Sequence, residues 1–377
     1  MTLRLTEVST SGYRSLKSIH YPVGDLEVFV GANGVGKTNL YRGLEMLRLA
    51  AQNRLGHALA EEGMPQALYA KPWRSGPPRM SFAATLLEDG RSPAKYRYEV
   101  EVGYPPLLAG AFRYEPDIKT ETLALVSGGR TVRLLDRKAG SVMARGEDGR
   151  PVEVDLDILG SETVLGRLQD PSRYPALDAV RRTLLEWRFY HEVRTDSASP
   201  LRRPSVLVAS PTLAPDGSNL AAVFATLEVI RGDRADLDEV IANAFPGAQL
   251  EISDKDQASF GIRFPEFPHR VFSAAELSDG TLRFLALAGA LLAYRLPPLV
   301  ALNEPESSLH PDLMPALADL ILRASRRSQV WLVTHSDRLA ELVSCGPGAE
   351  RRRVVKKDGA TWIEGLKLFG AYDEDDD

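Results

Sequence analysis

The hydrophobic pattern changes period within the first fifty residues. Leu26 to Val30 (LEVFV) is a short apolar run, the mark of a buried strand, while Leu40, Leu44 and Leu47 recur at helical spacing. Between them lies GANGVGKT, residues 31–38. Residues 80–160 alternate instead: MSFAATLLEDG, KYRYEVEV, AFRYEPDI and ETLALVSGGRTVRLLDR, with turn signals at Asp89-Gly90 and Gly128-Gly129, predict antiparallel strands. From 174 to 190 the pattern reads as helical. HEVRTDSASPLRRP (191–204) is a polar loop, and DGSNLAAVFATLEVI starts a helix capped by Ser218 or Asn219. Short strands at 249–253 and 259–264 lead to SAAELSDGTLRFLALAGALL, an apolar helix opened by Ser278, Asp279 and Gly280. A turn and the strand LVAL follow, ending in Asn303 and Glu304. A second buried strand from Gln329 to Val333 then runs into His335 and a helix begun by Ser336. No heptad tract or internal repeat is present, and the closing DEDDD reads as a solvated tail.

Composition narrows the class only a little. The 377 residues, 44% hydrophobic and 26% charged, suit a soluble globular protein of one large or two to three small domains. A net charge of −5 gives no global basic field for nucleic acid, so any DNA contact needs a local patch. The single cysteine, Cys345, excludes an intrachain disulfide and fits a reducing, cytoplasmic setting. The first residues lack the apolar core of a signal peptide, and the longest apolar run is broken by Arg295 and a Pro-Pro pair. No membrane association is expected.

GANGVGKT satisfies G-x-x-x-x-G-K-[ST] in the strand–loop–helix context that a P-loop requires. Gly31, Gly34 and Gly36 let the backbone curl so that its N–H groups face phosphates, helped by the helix N-terminus. Lys37 sets a positive charge on the β- and γ-phosphates, and the Thr38 hydroxyl can ligate Mg2+. A nucleoside triphosphate with Mg2+ is therefore the expected ligand pair.

The remaining pieces come late in the chain, in a telling order. LSDGT (277–281), LVALNEPE, SSLH (307–310) and VTHS follow one another, and GYRSLK (12–17) precedes the P-loop. Taken singly, Ser278 and Gly280 read equally well as a cap and a turn. Glu304 alone is a strand-end carboxylate, and His335 alone is a cap or core histidine. Together the set resembles an ABC-type AAA ATPase head of the SMC/RecF/OLD-like group, with a signature motif, a Walker B strand, a D-loop and a switch histidine. NEPESSLHPDL is especially similar to the DEPE…LHP stretch of RecF- and OLD-like ATPases. The resemblance rests on both ends of the chain, and the middle carries little of it.

The resemblance implies an α/β P-loop NTPase head with a mixed or parallel sheet, a flanking antiparallel β-sheet and a helical insertion. About 240 residues separate Thr38 from Ser278, so the head is expected to be composite. It would comprise 1–90 and 205–370, with 91–204 inserted as a β-rich and then helical part of the same head, and 371–377 as an acidic disordered tail. ATP contacts fall to Gly31, Asn33, Gly34, Gly36, Lys37, Thr38 and Asn39. Tyr13 and Arg14 are placed at the nucleotide end, and Ser278 and Gly280 would cap ATP from a second copy. Mg2+ falls to Thr38 and Asn303, and catalysis to Glu304, His335 and Lys37. In the family pattern the position of Asn303 is an aspartate. Asparagine keeps an acceptor oxygen but loses the charge, so a slow ATPase is expected.

The implied partner is a second copy of the chain, in an ATP-sandwiched homodimer. DNA and a separate effector nuclease are further expected partners, in repair or antiviral defence. The arginines at 181, 182, 188, 194, 202 and 203 are the candidate DNA contact, or else a solvated surface paired with acidic neighbours. About 40 residues follow His335, too few for a TOPRIM nuclease domain. A non-hydrolysing nucleotide-binding scaffold and the ATPase subunit of a transporter stand as alternatives. LSDGT, NEPE and the antiparallel insertion argue against the transporter.

Overall fold

A computed structural model describes residues 3–71, 75–88, 94–106, 112–138, 140–146, 149–191, 193–231, 234–253, 256–367 and 370–372. The Asp89-Gly90 turn and the acidic run at 373–377 lie outside the described residues. The chain forms two compact units. The first is Met1–Gly24, Gly31–Trp187 and Arg352–Asp377, and the second is Asp25–Val30 and Arg188–Arg351.

The first unit is built on an antiparallel eight-stranded sheet. Its order is Leu16–Pro22, Leu3–Tyr13, Arg79–Glu88, Lys95–Gly103, Asp117–Ser127, Arg130–Lys138, Ser141–Arg145 and Pro151–Glu153. Alternation decides which face is covered. In Lys95–Gly103 the residues Tyr96, Tyr98, Val100 and Val102 are buried, while those between them are more open. Helices Lys37–Ala51 and Pro175–Glu186 pack on this sheet. Gly128 and Gly129, both at positive φ, close the hairpin that pairs Ser127 with Arg130. AFRYEPDI does not begin as a strand: residues 112–115 turn, and pairing starts at Asp117, after Pro116 has removed a donor.

The second unit has a parallel core ordered Arg188–Tyr190, Leu299–Asn303, Gln329–Thr334 and Leu26–Val30. Every residue of its last three strands is buried, the pattern of a sheet covered on both faces. Helices Leu220–Arg231, Asp279–Leu292, Met314–Ser325 and Asp337–Ser344 supply cover, and their apolar faces join the strands in one cluster. The antiparallel strands Gln249–Ser253 and Ser259–Arg263 pair ahead of the Asp279 helix. The stretch 174–190 is not helical throughout. The helix ends at Glu186, and Arg188–Tyr190 becomes an outer parallel strand, too short for its period to register. Asn219 and Ser218 tie down the loop before their helix: Asn219 accepts from Ala214 N and donates to Thr212 O, and Ser218 bonds Asp216. No described helix is long and apolar enough to cross a membrane.

Candidate functional site

The first unit carries the P-loop. Gly36 has φ 101° and caps the Lys37–Ala51 helix in a left-handed conformation. A Cβ at that position would lie 1.9 Å from Thr361 Oγ1, so both the backbone and the space require glycine. Lys37 is buried and arches back over the loop, donating to Gly31 O at 2.6 Å and Ala32 O at 3.0 Å. Gly34 (φ 79°) is exposed together with Ala32 and Asn33, and Thr38 and Asn39 are half-buried. Behind the loop runs a chain of short polar bonds. Asn39 donates to Ser15 Oγ at 2.6 Å, Ser15 meets Thr361 Oγ1 at 2.6 Å, and Thr361 donates to Val35 O at 2.8 Å.

Arg14, at φ 49°, binds Glu62 at 2.5 Å and reaches Asn39 Oδ1 at 3.4 Å. It is therefore fastened to the P-loop helix. Tyr13 is not open to a nucleotide: its ring is buried and its hydroxyl donates to Glu62 at 3.0 Å. Burial, followed by the Glu62 charge, pushes the Tyr13 phenol up.

The second unit gathers the acidic residues at the C-terminal ends of parallel strands, where open α/β sheets place ligands. Asn303 pairs in register with Val333, and Glu304 N donates to Val333 O at 2.8 Å. The chain then turns at Glu304, which has φ 50°. Its carboxylate is partly open, and Arg283 reaches its carbonyl at 3.2 Å. Glu306, two residues beyond Glu304, is buried. Its Oε1 accepts from Thr334 Oγ1 at 2.5 Å, His335 N at 3.0 Å and Ser336 N at 3.3 Å. His335 Nδ1 lies 3.2 Å from Glu306 Oε1 and 3.9 Å from Glu304 Oε2, so the imidazole stands between two carboxylates. Ser336 caps the next helix, accepting from Leu339 N at 3.2 Å.

His191, which no motif of the sequence singles out, meets Asn303. Its Nδ1 lies 2.6 Å from Asn303 Nδ2. No periodicity flags this contact; only the pairing of Arg188–Tyr190 with Leu299–Asn303 creates it. Asn303 is 2% exposed, and its Oδ1 has no hydrogen-bond partner among the described residues. A buried orphan acceptor costs about 1–3 kcal/mol unless a further donor meets it. Water held by Mg2+ is such a donor, because this ion keeps several waters and takes few protein ligands. The Asn303 oxygen thus has the right chemistry to accept from the waters of Mg2+.

The signature residues sit together but face outward. Ser278 is exposed and caps the Asp279–Leu292 helix, accepting from Thr281 N at 3.2 Å. A Cβ on Gly280 would approach Ser308 O at 3.0 Å, so glycine lets the 307–310 loop come close. Arg202 fixes the motif from behind. It donates to Leu277 O at 2.8 Å and binds Asp279 at 2.7 Å. Other arginines of the expected basic loop are also paired, Arg181 and Arg182 with Asp178 and Arg194 with Asp196. The reading of that stretch as a solvated, paired surface fits these contacts better than a free basic patch.

The P-loop, the helix opened by Ser278 and the acidic strand end mark a P-loop ATPase of the AAA class, on a fold like that of SMC heads. Residues 27–127 and 165–341 match the family described as "AAA domain, putative AbiEii toxin, Type IV TA system", and the chain belongs to that family. Among solved structures it is similar to an SMC head bound to the C-terminal winged-helix domain of ScpA. Identity is 15%, the match covers 97% of this chain and 99% of that one, and the TM-score is 0.50. It is also similar to the Pyrococcus furiosus SMC head with an extended coiled coil, bound to the C-terminal domain of ScpA. There the identity is 16%, coverage is 98% and 97%, and the TM-score is 0.51. At these identities the likeness concerns fold alone.

Proposed function

We propose that this chain is a slow ATP hydrolase that works as an ATP-gated dimeric switch. The observation that carries the reading is the grouping of Glu304, His335 and Glu306 at parallel strand ends, beside an Asn303 oxygen that needs a donor. Lys37, Thr38 and the loop glycines bind the phosphates, with Asn39 and Arg14 bracing the loop. Mg2+, when bound, would neutralise phosphate charge, with Thr38 and Asn303 as its protein-side contacts. Glu304 accepts a proton from the attacking water, and His335 orients on the γ-phosphate side. Glu304 is the carboxylate that hydrolysis needs, so loss of charge at Asn303 slows the enzyme without abolishing it.

Ser278 is exposed and Gly280 half-buried at a helix N-terminus, which favours an anion supplied from outside. In the dimer they cap the ATP held by the second copy, and ATP drives association because it binds the closed state better. Control of a separate effector in a DNA-related process such as repair or phage defence follows from the resemblance. The pairing of the arginines lends it no support. Light scattering tests the switch: ATP should double the mass, and Ser278→Arg should abolish the shift while each monomer still binds ATP. Loss of ATP binding in that variant would count against the sandwich.

A second reading, a nucleotide-binding scaffold without turnover, is favoured by the uncharged Asn303. ATP binding with dimerisation but no phosphate release would establish it.

A further inference from the structure

We propose that His191 is a positioning residue that makes Asn303 usable in place of a carboxylate. The inference rests on the Mg·ATP reading above and deepens it.

The register creates the contact. Tyr190 pairs with Leu302 in parallel strands, so His191 and Asn303 leave the sheet side by side. With Asn303 Nδ2 2.6 Å from His191 Nδ1, the amide donates and the ring accepts, which requires the proton on Nε2. One end of the buried amide is thereby taken. The other end, Oδ1, is left without a partner among the described residues.

An asparagine differs from an aspartate in more than charge. Either oxygen of a carboxylate can accept, so a flip about the last side-chain bond changes nothing. The two ends of an amide have opposite hydrogen-bonding sense. The wrong flip turns an NH2 group toward the waters of a cation, where two sets of donors face each other. His191 removes that choice by engaging the NH2 end. An aspartate at 303 would need no such partner, so the value of His191 depends on the residue at 303.

The test is a double-mutant cycle read by ATP binding at a series of MgCl2 concentrations, with calorimetry as the signal. The proteins are wild type, His191→Ala, Asn303→Asp and the double variant, with His191→Gln as the conservative control. His191→Ala should raise the MgCl2 concentration for half-maximal tightening roughly 3- to 10-fold and leave metal-free ATP affinity unchanged. This corresponds to one lost or misdirected hydrogen bond. In the Asn303→Asp background the same change should shift it by less than about 2-fold, since a carboxylate needs no orienting. His191→Gln should recover most of the loss, because its side-chain oxygen can accept the same Nδ2–H. An equal effect of His191→Ala in both backgrounds, or none in wild type, overturns the positioning role while leaving the ATPase reading intact. Wild-type ATP binding that ignores MgCl2 overturns both.

Discussion

The P-loop and the Asn303–Glu304 strand end serve one proposed reaction but are built in opposite ways. Gly31 to Thr38 is a contiguous stretch, and its main brace, the Lys37 contact with Gly31 O and Ala32 O, lies within it. The acidic end is assembled from three neighbouring strands. Tyr190 delivers His191, Leu302 delivers Asn303, and Thr334 delivers His335. Glu306 then ties Asn303's own segment to the last of these through Thr334, His335 and Ser336. A lesion in the loop should therefore be local and chemical, whereas a lesion in the acidic end should also be structural.

Lys37→Ala should give the largest effect. Removing a charge that meets two phosphates forfeits charge-assisted bonds, and ATP affinity should fall at least about 100-fold. The melting temperature should stay within a few degrees of wild type. A large loss of stability would break the contrast, because the loop would then be structural too.

Glu306→Ala comes next. It strips an acceptor from a buried hydroxyl and two backbone N–H groups, which should cost about 2 kcal/mol in denaturant unfolding. His335 should lose its anchor, so turnover should fall as well. Turnover that falls with stability unchanged would make Glu306 a chemical residue and erase the distinction.

The smallest effect concerns the approach to the signature motif. Ser273 N–H and hydroxyl, with Arg270, lower the Glu276 carboxyl from the ordinary 4.5 to about 2. A lowered pKa means that the stabilisation is present above the ordinary value and is lost as pH falls through about 2. The difference between wild type and Glu276→Gln in thermal melts should therefore shrink between about pH 4.5 and 2. A difference that holds constant over that range would show that the carboxylate contacts are not what shapes this turn.

Legibility follows the same division. The P-loop, its helix, the Ser278 and Ser336 caps and the two buried strands could be read because each is written in adjacent residues with a period or a cap. Alternation likewise exposed most of the antiparallel sheet, except where Pro116 delays pairing. What escaped depends on contacts between segments far apart along the chain. His191 meets Asn303 only because a three-residue strand, hidden at the end of a helical pattern, joins the sheet. Arg202 looked like part of a basic loop because its partners, Leu277 O and Asp279, lie some seventy-five residues on. The Ser15–Thr361 bond behind the P-loop spans almost the whole chain. No local pattern encodes such contacts.

The central claim is that the acidic end with Asn303 still hydrolyses ATP through Glu304. The direct test is phosphate release with ATP and MgCl2, wild type beside Glu304→Gln, with ATP binding measured in parallel. Turnover should be slow in wild type and fall about 100-fold or more in the variant, the scale of a removed general base, with binding retained. Turnover that is unchanged by Glu304→Gln, or absent from wild type that binds ATP, would contradict it.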